Sequence, residues 1–236
     1  MSAVVVLCGG KGERLRKVVG DRPKVLAEVG GSAFLGYVLE RLVRDGATEI
    51  VLSTGYRAEM VAQYVESRDD WGIDLRCVAE AQPLGTAGAI RHAVEHASIA
   101  GPFFVLNGDT WFDGSLGELA KFHEERGAQL SMALVAVEQS SRYGQVHFDD
   151  ASGELLEFAE KGGESGAGWI NAGLYRIEPE ILERIPDGRS CSLEREIIPQ
   201  LIGNGLYARA FDRATFLDIG TPDDLLRAEK ILRRFR

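Results

Sequence analysis

Four short apolar runs, at residues 4–7, 50–53, 75–78 and 103–106, alternate with helical patterns at residues 34–45, 57–67 and 85–97. The runs have strand length, while Phe34, Tyr37, Val38, Arg41, Leu42 and Asp45 recur at the helical period, with Leu35, Leu39 and Val43 widening the apolar stripe. Gly46 is placed to end that helix. Strand–helix alternation of this kind implies right-handed βαβ units and a doubly wound, mostly parallel, Rossmann-like sheet with helices on both faces, a three-layer α/β/α class. Beyond residue 128 the texture changes. Residues 130–137, 145–148, 155–158 and 169–175 read as strands with little helix between them, so a strand-rich lobe of mixed or antiparallel strands is expected there. Residues 222–236 read as an amphipathic helix entered through Thr221 as cap and Pro222 in the first turn. No Pro-, Ser- or charge-rich linker interrupts the chain, so one domain over residues 1–236 is expected.

Open α/β sheets collect ligands beyond the carboxyl ends of their parallel strands. Cys8-Gly9-Gly10 follows the first strand and Asn107-Gly108-Asp109 the fourth, so both face one crevice. Between Lys11 and Lys24 stand six basic residues (Lys11, Arg14, Arg16, Lys17, Arg22, Lys24) against Glu13 and Asp21, in a chain of formal net charge -9. Glycines that let backbone N–H groups close on phosphate oxygens, followed by cations, suit a polyphosphate. A P-loop is excluded because Lys11 is followed by Gly12-Glu13 and no hydroxyl. The dinucleotide fingerprint fails because Leu15 stands where a third glycine belongs.

Read together with Pro23-Lys24, the segment Gly9-Gly10-x-Gly12-x-Arg14-Leu15 resembles the signature of the sugar-1-phosphate nucleotidyltransferases, which couple an NTP to a sugar 1-phosphate and release pyrophosphate. Further segments follow in the family's order over nearly the whole chain: Glu80-Ala81-Gln82-Pro83-Leu84-Gly85-Thr86-Ala87-Gly88, Leu106-Asn107-Gly108-Asp109, Tyr143-Gly144, Glu160-Lys161-Gly162, Asn171-Ala172-Gly173-Leu174-Tyr175 and Phe216-Leu217-Asp218-Ile219-Gly220-Thr221-Pro222. The resemblance implies a nucleotide-binding half (1–127) and a sugar-phosphate-binding half (128–236). In it Arg14 and Lys24 are catalytic, Arg14 toward the departing β- and γ-phosphates and Lys24 toward the α-phosphoryl group. Leu7, Gly9, Gly10, Gly12, Glu13, Arg14, Gln82, Pro83, Gly85, Thr86 and Asn107 would surround the nucleotide. Gly108, Gly144, Glu160, Lys161 and Asn171 would take the sugar phosphate, Lys161 at its phosphate and Glu160 at its hydroxyls. Asp109 and Asp218 would ligate Mg2+.

Taken alone, several of these segments read differently. Asn107-Gly108-Asp109 is also good turn chemistry, Gly-Thr-Pro after Asp218 is also a helix entry, and Glu160-Lys161-Gly162 is also a polar hairpin end. The nearest resemblance within the family is to the D-glycero-α-D-manno-heptose 1-phosphate guanylyltransferases, carried by residues 14–24, 83–89 and 106–113. Val25-Leu26 departs from it, since many relatives have Pro-Met or Pro-Leu there. GTP and a manno-configured heptose 1-phosphate are therefore the expected substrates. Mannose, N-acetylmuramate and glucose 1-phosphates are alternatives, with UTP, dTTP, CTP or ATP as other donors.

Two readings of other classes compete. A metal-dependent glycosyltransferase would want an Asp-x-Asp pair where Asp109-Thr110-Trp111 stands. A non-catalytic nucleotide-sugar sensor would not need Arg14, Lys24, Asp109, Lys161 and Asp218 together. Cys8, Cys77 and Cys191 lie far apart without a CxxC pattern, which argues against disulfides and zinc. His92 and His96 stand four apart on a helix with no third ligand in view. No segment approaches the ~20 apolar residues of a membrane span, and no basic region precedes the first apolar run. A cytoplasmic protein is expected, without nucleic-acid or membrane partners; a homo-oligomer is left open.

Overall fold

The first strand shows how the sheet is covered. Val4 and Val6 point into one apolar core and Val5 into another, all three fully buried, as a strand with helices on both faces requires. The computed structural model describes residues 2–10, 12–68, 71–159 and 166–235. Its strands are β1 (Ser2–Leu7), β2 (Glu28–Val29), β3 (Ser32–Ala33), β4 (Ala47–Thr54), β5 (Asp74–Ala79), β6 (Phe103–Asn107), β7 (Thr110–Phe112), β8 (Leu130–Val137), β9 (Gln145–Phe148), β10 (Leu155–Ala159), β11 (Gly168–Ile177), β12 (Leu206–Ala210) and β13 (Phe216–Asp218). The α-helices are α1 (Arg16–Val19), α2 (Phe34–Arg44), α3 (Ala58–Glu66), α4 (Gly85–Ala97), α5 (Leu116–Arg126), α6 (Ile198–Leu201) and α7 (Pro222–Leu232).

Among the described residues nine strands form one sheet, with β5, β4, β1 and β6 as its parallel part. β11 joins that part antiparallel to β6, then carries β8 and β12 on one side and β9 and β10 on the other. Helices α2, α3, α5 and α7 send Leu39, Val61, Leu119 and Leu232 into the core on one face. On the opposite face α4 and α6 contribute Ile90, Val94 and Ile198. The doubly wound α/β layout is thus present, and the sequence-predicted strands and helices of the first half sit where the apolar periodicity puts them. Boundaries shift by one to three residues, β4 beginning at Ala47, α2 ending at Arg44 and α3 at Glu66; α3 begins at Ala58, because Arg57 takes a left-handed conformation (φ 52°) that breaks the helical path.

Two local features fix the site. β11 bulges between Asn171 and Tyr175, where Gly173 (φ +73°) leaves room for the Asn107 side chain, since a Cβ there would lie 2.7 Å from Asn107 Nδ2. The short antiparallel pair β7–β13 sets Thr110 opposite Asp218, and the Ile219 N–H donates to Asp109 O at 3.1 Å. Thr221 then caps α7, its hydroxyl accepting from the Asp224 N–H.

Candidate active site

The carboxyl ends of β1, β4, β5 and β6 open into a cavity of about 740 Å3, and a second of about 380 Å3 adjoins it toward β9 and β11. Asn107, Asp109 and Glu194 line both. At the junction Lys24 Nζ lies 2.7 Å from Asp109 Oδ2 and 3.2 Å from Asp218 Oδ1. Three residues from far-separated segments meet here because β1 and β6 end side by side, the β7–β13 ladder carries Asp218 back beside Asp109, and a 3-10 turn at Lys24–Leu26 aims the lysine inward. Gly12 (φ +59°) passes so close to the lysine stem that a Cβ would lie 2.8 Å from Lys24 Cβ, so the glycine-rich turn seats the lysine.

The electrostatics follow from burial. Burial works against the Lys24 ammonium, yet Asp109 and Asp218 outweigh it and hold its pKa above the ordinary value. The Asp218 carboxyl is pushed up by its own burial; Lys24 opposes that rise and Asp109 adds to it. Two carboxylates against one ammonium leave a net negative charge converging on one point. That arrangement suits a divalent cation bound by few carboxylates with phosphate and water completing its shell. Among the described residues no group of three His, Cys, Asp or Glu forms a closed metal cage. His92 and His96 instead stack on each other and bond to the carbonyls of Ala79 and His92.

Of the residues singled out from the sequence, Leu7, Gly9, Gly10, Gln82, Pro83, Gly85 and Thr86 line the larger cavity, with Lys24. Gly144, Asn171 and Asp218 line the smaller, and Asn107 lines both. Four stand outside these walls. Gly12 and Glu13 lie at the base of the loop, and Arg14 is exposed on a 3-10 turn at Glu13–Leu15. Gly108 closes the ends of β1 and β6 together, its N–H donating to Leu7 O at 2.9 Å where a Cβ would lie 2.8 Å from that oxygen. Glu160 and Lys161 lie outside the described residues. The walls also contain Tyr56, Glu80, Tyr143, Glu194 and Phe216, which the sequence reading did not select as site residues. Glu80 was within reach of that reading, at the end of an apolar run: it accepts from the Leu84 N–H at 2.9 Å, and Gly9 is glycine where a Cβ would meet Glu80 Oε1 at 2.9 Å.

The segment at Gln82–Thr86 is held from below. The Cys191 N–H donates to Leu84 O at 2.8 Å and the Ala87 N–H to Cys191 O at 2.9 Å. Gly85 (φ +70°) lies so close that a Cβ would come within 2.5 Å of Cys191 O. Gly85→Ala is expected to cost about 2–4 kcal/mol of stability, because a left-handed non-glycine residue and a clash with backbone combine. Gly10→Ala, with nothing within 4 Å of its Cβ, is expected to stay within about 0.5 kcal/mol of the parent. Urea unfolding of both variants checks this, and equal midpoints would refute it.

Comparison with known proteins agrees with this geometry. The family model described as nucleotidyl transferase matches residues 3–234. The mannose-1-phosphate guanylyltransferase catalytic subunit beta of Dictyostelium discoideum is 34% identical over 224 residues, 94% of this chain and 62% of that protein. The mannose-1-phosphate guanyltransferase of Kluyveromyces lactis is 36% identical over 227 residues, with the same 94% and 62% coverage. The chain thus spans about 62% of the length of these curated relatives. The crystal structure of HddC from Yersinia pseudotuberculosis, in complex with GMP-PN, superposes with a TM-score of 0.86 at 31% identity and full coverage of both chains. With a match that runs from the first strand to the end of α7, the chain belongs to the nucleotidyl transferase family.

Proposed function

We propose that the protein is a sugar-1-phosphate nucleotidyltransferase that forms an NDP-sugar and pyrophosphate, with GTP as donor and mannose 1-phosphate as acceptor. The observation that carries this reading is Lys24 bonded to both Asp109 and Asp218 at the seam of two adjoining cavities. A reaction between two anionic phosphates needs no side-chain nucleophile. It needs alignment and charge neutralisation, and a lysine with two carboxylates at the meeting point of two ligand chambers supplies both.

In this reading the nucleotide takes the larger chamber and the sugar 1-phosphate the smaller. An acceptor phosphate oxygen attacks the α-phosphorus while pyrophosphate leaves. Lys24 offsets charge at the transferring phosphoryl group, and Arg14, exposed beside the opening turn, is assigned to the departing phosphates. Asp109 and Asp218 would hold Mg2+, which when bound supplies further charge neutralisation at the phosphates. Lys161 remains the candidate for the acceptor phosphate and Glu160 for its hydroxyls, on sequence alone.

Guanine as the base is supported by the GMP-PN complex of HddC and by the guanylyltransferase relatives. Those relatives are named for mannose 1-phosphate, so that sugar replaces the manno-heptose 1-phosphate expected from the sequence, which becomes the second acceptor to try. The chain is proposed to work as one unit, residues 1–127 serving the nucleotide and 128–236 the acceptor, in the cytoplasm. No helix of the described residues is long and apolar enough to cross a membrane. Pyrophosphate release across a panel of NTPs and sugar 1-phosphates tests the reading: GTP with mannose 1-phosphate is expected to give the highest kcat/KM. No release with any pair would overturn it.

A further inference from the structure

The loop between β8 and β9 grips the segment that runs from β13 into α7 at two points. Tyr143 sets its ring edge-on against Phe216, with centroids 5.4 Å apart and planes at 81°. The neighbouring Arg142 reaches the first turn of α7, where Nη1 donates to Asp224 Oδ1 at 3.2 Å and Nη2 to Asp224 Oδ2 at 2.7 Å. The partners of this fork differ in exposure: the Arg142 side chain is 44% exposed and that of Asp224 3%. Asp224 Oδ2 also accepts from the Thr221 hydroxyl at 2.7 Å, while Arg227 Nη1 stands 4.0 Å from Oδ1. Asp218 lies between the two grips in sequence.

The same loop is fixed from its other side. The buried Ser140 donates its hydroxyl to Gly166 O at 2.8 Å, the Tyr143 N–H donates to Ser140 O at 2.8 Å, and a Cβ on Gly144 would lie 2.9 Å from Ala159 O. Tyr143, Gly144, Phe216 and Asp218 all line the smaller cavity and none lines the larger; Arg142 and Asp224 line neither. A guanidinium meets a carboxylate in one plane through two parallel bonds, so the fork sets orientation as well as distance between loop and helix. Held at Asp224, Arg142 pins the backbone that carries Tyr143. The pair thereby fixes how far that loop stands from the segment that bears Asp218.

We propose that Arg142 and Asp224 are positioning residues, an ion pair that acts through Tyr143 and Phe216 to hold the smaller cavity at the width its ligand requires. Neither touches the ligand. With the fork broken, Tyr143 and Gly144 drift from Phe216 and Asp218, and the acceptor is held less well while the larger cavity keeps its shape. The inference rests on the function proposed above in taking the ligand of the smaller cavity to be the sugar 1-phosphate.

The test measures kcat and the apparent KM for mannose 1-phosphate and for GTP in the parent, Arg142→Ala, Arg142→Lys, Asp224→Asn and the double variant Arg142→Ala/Asp224→Asn. Amide hydrogen exchange at Tyr143 is followed alongside. Arg142→Ala is expected to raise the acceptor KM by about tenfold or more and to lower kcat, with the KM for GTP within about twofold of the parent. Arg142→Lys, which keeps the charge and loses the fork, should fall between. The double variant should be no worse than the worse single variant, since the same contact is lost in all three. The Tyr143 amide should exchange faster in Arg142→Ala while β1 and β6 exchange as in the parent. A pair that serves stability alone would lower the melting temperature and leave the ratio of the two KM values unchanged. If Asp224→Asn does not fold, the two Arg142 variants carry the comparison. An acceptor KM within about twofold of the parent in folded Arg142→Ala, equal rises for both substrates, or parental exchange at Tyr143 would each overturn the proposal. Absent turnover with every pair strikes the transferase reading, whereas the ion pair is then judged on the exchange at Tyr143.

Discussion

Lys24→Ala lowers turnover at saturating substrate by about a hundredfold or more while the protein stays folded. Loss of a charge-assisted contact made where negative charge develops costs about 3–4 kcal/mol of transition-state stabilisation, and about 1.4 kcal/mol corresponds to each factor of ten. The fold should survive because the carboxylates left behind are not sealed in: the Asp109 side chain is 39% exposed and that of Asp218 25%, so water can solvate them once the ammonium is gone. Steady-state kinetics with a thermal melt checks both halves. Parental turnover in a folded Lys24→Ala variant would remove Lys24 from the reaction, and with it the observation on which the proposed function rests.

The second large effect is expected at the two aspartates. Asp109→Asn and Asp218→Asn should each lower turnover by about a thousandfold, and EDTA should silence the parent protein until magnesium is restored. Their stabilities should not follow their activities. The Asp218 carboxyl has its pKa raised by burial and by Asp109, so its ionised form at neutral pH works against folding, and that cost is relieved as the pH falls toward the unfolded value of 3.8. Neutral asparagine removes the cost. Asp218→Asn is expected to melt at or above the parent temperature while being nearly inactive, a separation of stability from function found where a site is built from crowded like charges. A variant that loses activity only because it unfolds would contradict this, as would full activity in EDTA.

The sheet was legible because its signal is local. Val4 to Leu7 and Phe103 to Leu106 need only their own apolar side chains to read as strands, and the stripe at Phe34, Tyr37, Val38 and Leu42 needs only the helical period. The charged cluster was legible for another reason: Lys24, Asp109 and Asp218 lie in segments whose order resembles a family, and in the structure Lys24 bonds to both carboxylates. What stayed hidden depends on partners far along the chain. Glu194 has no motif around it, and it enters the site only because Cys191 docks under Leu84 and Ala87. Tyr56, in the turn after β4, carries no cue of composition, yet that strand stops at the mouth of the larger cavity. Gly12 reads from the sequence as a phosphate-cradling glycine, whereas in the structure its close approach is to the stem of Lys24. A glycine pattern tells that something passes near; it does not tell what.

The ladder between β7 and β13 has a bearing on how the protein comes into being on the ribosome. Lys24 and Asp218 are 194 positions apart, and Asp218 reaches Lys24 only when Phe216–Asp218 pairs with Thr110–Phe112. The parallel strands and the walls of the larger chamber up to Asp109 are all synthesised well before that partner strand. A nascent chain can therefore assemble much of the larger cavity while holding one carboxylate of the pair, and the lysine waits with a single counter-charge. The charged cluster is completed only with the three residues of β13, so an interrupted translation product ending before them lacks one of its three charged residues however well the earlier sheet has formed.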